Sequence, residues 1–344
     1  MGKVKSILLN QQGMALLITV MTVSLLMAVT VMFHRQSWQN YVVANNYKNN
    51  IQLRAIGESG INIGLALLLQ DVEGNGHDSL LDGWAQLEPD DLMPLFKEGK
   101  LELSISDLSG RLQINSLVQM IPKGGGKDGN QAGENTENEI RGILLQLLLS
   151  PVFALEEESA AESIVDALVD WIDADDKESD NGAESSYYQA FEPAYGCRNG
   201  PVLYIEELLL VKGITPQLLF GEGERKGLAD YLTVHGNDGK ININTADTLL
   251  IKSMDPLIED ELVEKLYTYR SDEENEEQLG NPSWYTRVDS WPGDIVLNGD
   301  ILTTQSTMFL IQSTGKSDSF SRRVTAVVNR VDNKTIRVLS RKVN

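Results

Sequence analysis

The sequence predicts an α+β fold in which a long N-terminal helix packs on an antiparallel β-sheet, and the sheet is interrupted by a large inserted all-helical domain. An uncharged apolar run at residues 14–33 leads directly into an amphipathic helical pattern. Strand-like alternation of apolar and polar residues occurs near residue 100 and again after residue 307, whereas helical patterns dominate between them. We therefore expect strands that are distant in sequence to meet in one sheet.

The apolar run from Met14 to Phe33 has the length of a membrane span. Its twenty residues carry no charge, and at about 1.5 Å per residue they extend roughly 30 Å, the thickness of the hydrocarbon core of a bilayer. Lys3 and Lys5 precede the run and favour a cytoplasmic leader. The rest of the chain is then expected on the far side of the membrane.

The helical pattern continues beyond the membrane span. Eight residues recur at alternating spacings of four and three, which is typical of one face of an amphipathic helix; they are Val42, Asn46, Asn49, Leu53, Ile56, Gly60, Ile63 and Leu67. We predict a helix from Met14 to about Gln70 that ends before Gly74-Asn75-Gly76. This face suits packing on the chain's own sheet or pairing in a coiled-coil dimer, and its Asn and Gly residues favour the first.

Four segments have the pattern of β-strands, namely 101–107, 307–313, 323–330 and 335–339. Between the first and the second lies the predicted helical insertion, at about residues 111–293. Within it, Pro122 to Glu139 is rich in Gly, Asn and Glu, which predicts a flexible loop. The apolar stretch Ile140 to Leu149 is too short to span a bilayer and is expected to form a core helix.

Composition excludes several functions. The chain has 344 residues and a formal charge of −21, which argues against binding nucleic acid because phosphate backbones demand clustered Lys and Arg. Its single cysteine, Cys197, cannot form an intramolecular disulfide. The three histidines are far apart in sequence and lie in no recognisable catalytic or zinc-binding motif. We therefore predict a protein without enzymatic activity.

The segment from Glu156 to Glu184 is the strongest candidate for a metal site. It holds twelve acidic residues and one basic residue, Lys177. A helix is predicted from Ala161 to Ile172, and a loop with many carboxylate oxygens follows it. Oxygen is the ligand type that calcium prefers, although the spacing is not that of an EF-hand loop. A solvated acidic surface explains the same composition equally well.

Two further segments have the pattern of helix-hairpin-helix modules, which bind DNA through backbone amides and nearby basic residues. The first contains Val211-Lys212-Gly213-Ile214, and the second runs from Ile241-Asn242-Ile243-Asn244 into the helical residues 260–270. The second lacks the hairpin glycine and is surrounded by acidic residues, which would repel DNA. Asn115 and Asn244 are expected to make side-chain to backbone hydrogen bonds.

The N-terminus resembles that of type IV pilins and pseudopilins. It has a short basic leader that ends in Gly13, followed by an apolar helix that begins at Met14, and in that family a prepilin peptidase cleaves after the glycine. The resemblance implies processing between Gly13 and Met14. The fifth residue after the cleavage point is usually glutamate, but here it is Ile18. In lacking this glutamate, the chain resembles the general secretion pathway protein K family. The members of that family are minor pseudopilins of type II secretion at the filament tip. A plain membrane anchor that happens to follow a glycine is the alternative.

The acidic segment carries a second part of this resemblance. Ala167 to Asp176, followed by Gly182-Ala183-Glu184 and Tyr187-Tyr188, is similar to the signature segment of the protein K family, whose members bind calcium in the inserted domain. The resemblance therefore implies a calcium site here. The predicted ligands are Asp173, Asp175, Asp176 and Glu184.

The resemblance implies a non-catalytic minor pseudopilin at the tip of the type II secretion pseudopilus, which assists filament initiation and protein export. The expected location is the inner membrane, with the body in the periplasm, an N-terminus that is cleaved and methylated, and no nucleic acid bound. The expected partners are the I-type and J-type minor pseudopilins, the major pseudopilin and the prepilin peptidase. A helix-hairpin-helix DNA-uptake protein and a plain anchored periplasmic domain remain alternatives. The predicted parts are a leader at 1–13, a pilin helix at 14–70, a pilin-like body at 71–110 and 294–344, and an inserted helical domain at 111–293.

Overall fold

The structure is a computed structural model that describes residues 11–71, 76–88, 96, 99–118, 127–155, 157–317, 320–332 and 334–344. Lys3 and Lys5 of the predicted leader, and Gly74-Asn75 at the predicted helix end, lie outside the described residues. The side chains of residues 127–135 are likewise not described.

Seven α-helices are present in the described residues, and they are numbered here in chain order. They are α1 (Gln11–Asp71), α2 (Lys127–Leu148), α3 (Glu158–Ile172), α4 (Ser185–Tyr188), α5 (Pro216–Phe220), α6 (Thr248–Lys252) and α7 (Asp260–Arg270). Short 3-10 turns lie at Ile114–Leu117, Ile205–Leu210, Leu228–Asp230, Glu273–Gly280, Trp284–Arg287 and Gly299–Ile301.

Helix α1 has two halves with opposite environments. Every residue from Met14 to Phe33 is exposed, and the helix is long and apolar enough to cross a membrane. In the second half, Leu53, Ile56 and Leu68 are buried in the core of the body. The predicted long helix is confirmed. From Leu53 onward its apolar face packs on the chain's own sheet, as the Asn and Gly residues of that face favoured, whereas Val42 and Asn46 of the predicted face are exposed.

The main sheet has four strands in the order β1-β6-β7-β8, and all of its pairs are antiparallel. Its strands are β1 (Lys100–Asp107), β6 (Met308–Lys316), β7 (Ser321–Asp332) and β8 (Thr335–Val343); the short strands β2 to β5 are described below. In register, Ile105 lies opposite Ile311, and Ile311 lies opposite Ala326. Strands from the two ends of the chain therefore meet in one sheet, as predicted.

Glycines let α1 approach this sheet closely. A Cβ added to Gly60 would lie 2.1 Å from Ser313 Oγ, and one added to Gly64 would lie 2.9 Å from Ile311 Cγ2. Side chains at these positions would push the helix away from β6. The contact between helix and sheet thus depends on glycines, which have no side chain, as well as on apolar residues.

The residues between β1 and β6 form a second hydrophobic core. Its buried side chains run from Leu112 to Leu302 and include Trp171 and Trp284. The flexible loop predicted at residues 122–139 is corrected in part, because α2 begins at Lys127. Its last turns are anchored in the core by Ile140 and Leu144, and extending a helix from an anchored end costs little.

Two short parallel strand pairs lie in this second part, and the sequence did not reveal them. Strand β2 (Leu112–Gln113) pairs with β3 (Leu232–Thr233), and β4 (Ile241–Asn242) pairs with β5 (Leu302–Thr303). Strand β5 lies after residue 293, where the predicted insertion ends. The second core includes side chains on both sides of residue 293. The predicted domain boundaries stay predictions.

Candidate functional site

The acidic segment folds around the end of helix α3. This helix buries Ile164, Leu168 and Trp171, as its spacing predicts, and it also buries Asp170 completely. A buried carboxylate is costly unless it accepts hydrogen bonds or meets a cation. The side chain of Asp170 is therefore the point from which the site is built.

Asp170 holds the loop that follows the helix. Its carboxylate accepts hydrogen bonds from Ser179 Oγ at 2.6 Å, from Ser179 N at 3.1 Å and from Ala183 N at 2.8 Å. A Cβ on Gly182 would lie 1.9 Å from Asp170 Oδ2, so glycine is required at this close approach. These contacts turn the loop back over α3 and bring Glu184 to the helix end.

Three carboxylates converge at this point. Oxygens of Asp170, Asp173 and Glu184 all lie within 4.8 Å of one another. Burial, together with the neighbouring charges of Asp170 and Asp173, raises the pKa of Glu184 to about 7. Burial also raises the pKa of Asp173 to about 6. The group thus favours either a proton or a cation in its centre.

Glu184 provides the test of whether a cation fits. Only 2% of the residue is exposed, and neither of its carboxylate oxygens has a hydrogen-bond partner. Two orphaned carboxylate oxygens beside two further carboxylates are a costly arrangement without a positive charge. An all-oxygen donor set of this kind fits calcium.

The four predicted ligands occupy two different settings. Asp173 and Glu184 belong to the converging group, whereas Asp175 and Asp176 are exposed on the loop. Asp175 Oδ1 accepts a hydrogen bond from Lys177 N at 2.9 Å, and Asp176 Oδ1 accepts one from Asn199 Nδ2 at 3.0 Å. These two carboxylates shape the loop, and they are not among the three that converge.

Asp170 was not among the predicted ligands, although its spacing from Asp173 and its apolar neighbours in the sequence indicated it. Asp170 and Asp173 are three residues apart, so they share a face of the last helical turn. The apolar residues around Asp170 indicated burial, which is where a carboxylate needs a partner. The Oδ1 atom of Asn199 is also buried and without a hydrogen-bond partner, and nothing in its local sequence pointed to it.

The first hairpin-like turn supports this site and leaves no basic group for phosphate. Lys212 Nζ donates hydrogen bonds to Asn181 O at 3.0 Å and to Gly182 O at 2.8 Å, both on the acidic loop. Gly213 has φ of +84°, and a Cβ there would lie 2.8 Å from Ile164 Cγ1 on α3. The turn thus packs against the acidic site.

The second hairpin-like segment also uses its basic residues internally. Lys252 forms an ion pair with Asp260, and Lys265 Nζ lies 2.8 Å from Glu261 Oε1. Arg270 is buried and donates to the backbone oxygens of Ile243 and Ala246. None of the three cations in residues 248–270 is positioned to hold a phosphate.

The two asparagines make the predicted side-chain to backbone bonds. Asn115 Nδ2 donates to Val202 O and to Val234 O, each at 3.0 Å. Asn244 Nδ2 donates to Asp78 O at 3.0 Å and to Leu279 O at 3.1 Å. Their partners are far away in sequence, so both side chains fix tertiary structure and not only local turns.

A second carboxylate group lies between the two cores, and the sequence did not predict it. Asp71, Asp78 and Asp82 converge, and the Arg330 guanidinium donates to both oxygens of Asp78. Arg330 Nη1 also lies 3.4 Å from Asp71 Oδ2. An arginine already provides the positive charge here, so this group is a structural joint between α1, β7 and the loop after α1.

The predicted N-terminal site residues lie on the exposed half of α1. Gly13 has no atom within 4 Å of an added Cβ, and Met14 and Ile18 are both more than half exposed. Position 18 therefore faces outward on a helix that can enter a membrane. Processing between Gly13 and Met14 stays a prediction.

Comparison with known proteins finds similarity to one family. Residues 110–220 match a family model described as type II secretion system protein K, first domain. Type II secretion system protein K of Pseudomonas aeruginosa is 24% identical over 257 residues, which are 71% of this chain and 68% of that protein. The Klebsiella pneumoniae protein K is 25% identical, over 69% of this chain and 67% of that protein.

A solved structure shows the same fold. A chain in the crystal structure of the GspK-GspI-GspJ complex from the type 2 secretion system of enterotoxigenic Escherichia coli has a TM-score of 0.61 and 16% sequence identity. The match covers 88% of this chain and 99% of that chain. These findings confirm the predicted α+β fold and the predicted resemblance to the protein K family.

Proposed function

We propose that this chain is a protein K-type minor pseudopilin, which occupies the tip of a type II secretion pseudopilus and helps to initiate its assembly. The observation that carries the proposal is the difference between the two halves of α1. Its first half is exposed and apolar, and its second half is the spine of a body that carries a large second core. Such a subunit can join a helical filament through α1 while its bulky part covers the end.

The absence of a carboxylate at position 18 supports a terminal position. A carboxylate inside a bilayer is costly unless a partner neutralises it. In a pilus-like filament the partner is the terminal amine of a neighbouring subunit, and a tip subunit has no neighbour beyond it. Ile18 avoids this cost.

The partners follow from the same proposal. The solved complex combines GspK with GspI and GspJ, and the corresponding partners of this chain are the I-type and J-type minor pseudopilins of its own system. The prepilin peptidase removes residues 1–13, and the methylated chain joins the major pseudopilin below. The body then lies in the periplasm, and α1 crosses the inner membrane. Mass spectrometry of the membrane-extracted chain should find Met14 at the N-terminus.

Calcium binding by Asp170, Asp173 and Glu184 is part of the proposal. The orphaned oxygens of Glu184 support it most directly, because a divalent ion would provide the positive charge that the carboxylates lack. When bound, calcium supplies coordination that holds the loop against α3. Within the chain, Asp170 orients Ser179 and Ala183, and Lys212 holds the loop from outside.

The DNA-uptake alternative is not favoured, because the basic residues of both hairpin-like segments contact protein groups. No catalytic role is proposed either, since a secretion filament subunit acts through assembly. Asp170 and Asp173 accept hydrogen bonds from backbone amides and Glu184 lies beside them, and nothing in this setting resembles an acid and base pair of separate roles.

Co-expression tests the proposed function. The tagged full chain, the I-type and J-type minor pseudopilins of the same system and an active prepilin peptidase are produced together and extracted in detergent. We expect a stoichiometric complex that contains all three pseudopilins. Recovery of the tagged chain alone, at concentrations where the other two bind each other, would contradict the proposal.

A further inference from the structure

Within the part of the chain that the structure describes, no strand pairs with the outer edge of β8 in the main sheet. Strand β8 is the last strand in the sheet order, and eight of its nine residues are exposed. Three aliphatic side chains in this strand, Val338, Leu339 and Val343, are between 41% and 48% exposed. A nine-residue edge strand with exposed aliphatic residues is a template for a further strand.

The hydrogen-bond pattern shows which backbone groups face outward. Asn344 and Arg323 exchange both of their N–H and C=O bonds, at 2.9 Å and 3.2 Å. In an antiparallel pair the bonded positions alternate, so the next residue back in β8, Val343, turns its N–H and C=O away from β7. Arg341, two residues further back, does the same.

The charge around β8 is opposite to that of the whole chain. Residues 316–344 contain eight Lys and Arg against two Asp, although the formal charge of the chain is −21. Arg341 forms an ion pair with Glu58 of α1, while Arg337 and Lys342 lie opposite Asn329 and Thr325 on the sheet face away from α1. Arg330 is buried and Lys316 and Arg341 form ion pairs, so the basic residues that accompany the strand edge are chiefly Arg337 and Lys342 of β8.

We infer that β8 is a docking edge for an acidic strand of a different pseudopilin subunit, which extends the sheet by main-chain hydrogen bonds. This inference rests on the proposed function, because it assigns a binding surface to one of the partners named there. The aliphatic side chains supply apolar contact, and the basic residues select an acidic partner.

A second copy of the chain fits this edge poorly. Pairing of β8 with β8 would place the basic residues of one copy, Arg337, Arg341 and Lys342, close to those of the other, and like charges on paired strands are destabilising. Lysine on edge strands is a known protection against aggregation. Here the basic residues of β8 disfavour pairing with a second copy, while a strand with acidic residues can still bind the edge.

Charge reversal and backbone blocking test the inference separately. The tagged full chain is co-expressed with the I-type and J-type minor pseudopilins, and the yield of complex is measured after extraction. The double variant Arg337→Glu and Lys342→Glu should lower the yield at least tenfold. The matched control Lys240→Glu, an exposed lysine in the second core region, should stay within twofold of the native chain.

Val343→Pro tests the backbone bonds. Proline removes an N–H that faces away from β7, so the sheet keeps its internal bonds while the edge loses a donor. We expect a tenfold lower yield with an unchanged melting temperature, whereas Val343→Ala, which keeps the N–H, should stay within twofold.

Native yields for both the charge-reversal and the proline variants would overturn the inference and leave the proposed function intact. Absence of the complex with the native chain would overturn both. A self-associated form of the full chain that Val343→Pro dissociates would overturn the choice of an acidic partner.

Discussion

At the scale of single residues, burial distinguishes the carboxylates of the candidate calcium site from the other acidic residues of the same segment. The acidic segment contains twelve acidic residues, but Asp170, Asp173 and Glu184 converge, and Glu184 has two orphaned oxygens. The exposed Asp175 and Asp176 are screened by water and gain little from a cation. The strength of the site thus depends on desolvation and not on the number of charges.

Calcium should stabilise the full chain in detergent. Because the ion binds the folded site, the free energy of unfolding should rise by about 2.7 kcal/mol at a hundred times the dissociation constant. Magnesium should stabilise less, since it is smaller and loses its waters reluctantly. Melting curves with chelator, calcium and magnesium measure this effect.

Variants separate the converging carboxylates from the exposed ones. Glu184→Gln and Asp173→Asn should each abolish most of the calcium-dependent rise in melting temperature. Asp175→Asn is the matched control and should keep most of it, because Asp175 lies outside the converging group. An equal response of all three variants, or a melting temperature that chelator leaves unchanged, would remove calcium from the proposed function.

At the scale of elements, α1 contains both the candidate membrane span and the helix that packs on the sheet of the body. Leu53 and Ile56 are buried against the sheet, so charged residues at these positions would disrupt the body itself. Other subunits can reach the exposed residues of the same helix, such as Tyr47 and Ile51. The buried part of the predicted amphipathic face therefore stabilises the body, and the proposed assembly would use the exposed residues of α1.

Gly60→Ala should destabilise the body. The added Cβ would lie 2.1 Å from Ser313 Oγ and 2.7 Å from Leu101 Cδ1, and overpacking of this kind costs typically about 1–3 kcal/mol. Gly142→Ala, at an exposed position of α2 with no atom within 4 Å, should instead stabilise by about 0.5–1 kcal/mol. Thermal unfolding measures the melting temperature of each variant, which should fall for Gly60→Ala and rise for Gly142→Ala. A Gly60 variant as stable as the native chain would show that the sheet shifts to make room for the added methyl group.

Ile18→Glu should lower secretion. A carboxylate at the centre of a membrane helix costs about 2.5–3.5 kcal/mol on insertion scales, and position 18, near the N-terminal end of the apolar run, carries a smaller part of this cost unless a neighbouring amine pairs with it. Export of a reporter protein in cells that carry the variant measures the effect, with Ile18→Leu as the control. Full export by the glutamate variant would mean that position 18 carries no information about the tip.

At the scale of the whole molecule, a buried polar network joins the two cores. Asp78 bonds Arg330 of β7, and its backbone oxygen accepts hydrogen bonds from Asn242 and Asn244 of the second core. Asp107, at the end of β1, accepts bonds from Ser306 and Thr245. The network fixes how the second core sits on the sheet, because its partners come from both.

Stability should decrease as pH rises through the range of this network. Burial raises the pKa of Asp107 to about 6, well above the value of about 3.9 in an unfolded chain. Between pH 4 and 6 the folded protein therefore binds the additional proton, and the free energy of unfolding falls with increasing pH. For Asp107 we expect a decrease of about 1–2 kcal/mol after screening by solvent.

Asp71 contributes in the same direction, since burial and the nearby Asp82 and Asp78 raise its pKa to about 7. Melting curves from pH 4 to 8 measure each group through the difference between the native chain and its variant. Asp107→Asn should flatten the curve between pH 4 and 6, and Asp71→Asn should reduce the slope up to pH 7. A native curve that rises with pH over this range would show that the two carboxyls are not desolvated in solution.

The sequence by itself determined the features that repeat over short distances. The apolar run, the helical spacing to Gln70, the alternation of the four main strands and the acidic composition before Glu184 are all local patterns. They were enough to predict the long helix, the split sheet and the region of the candidate metal site. Each depends on the periodicity of a helix or a strand, which side chains a few residues apart reveal.

Only the tertiary structure decided which distant groups meet. Asp107 and Ser306 are separated by 199 residues, and no local pattern links them or selects Arg330 as the partner of Asp78. The same holds for the loop that returns Glu184 to Asp170, for the short parallel pairs and for the open edge of β8. These features arise from packing, because burial and charge at each site are set by residues from other parts of the chain.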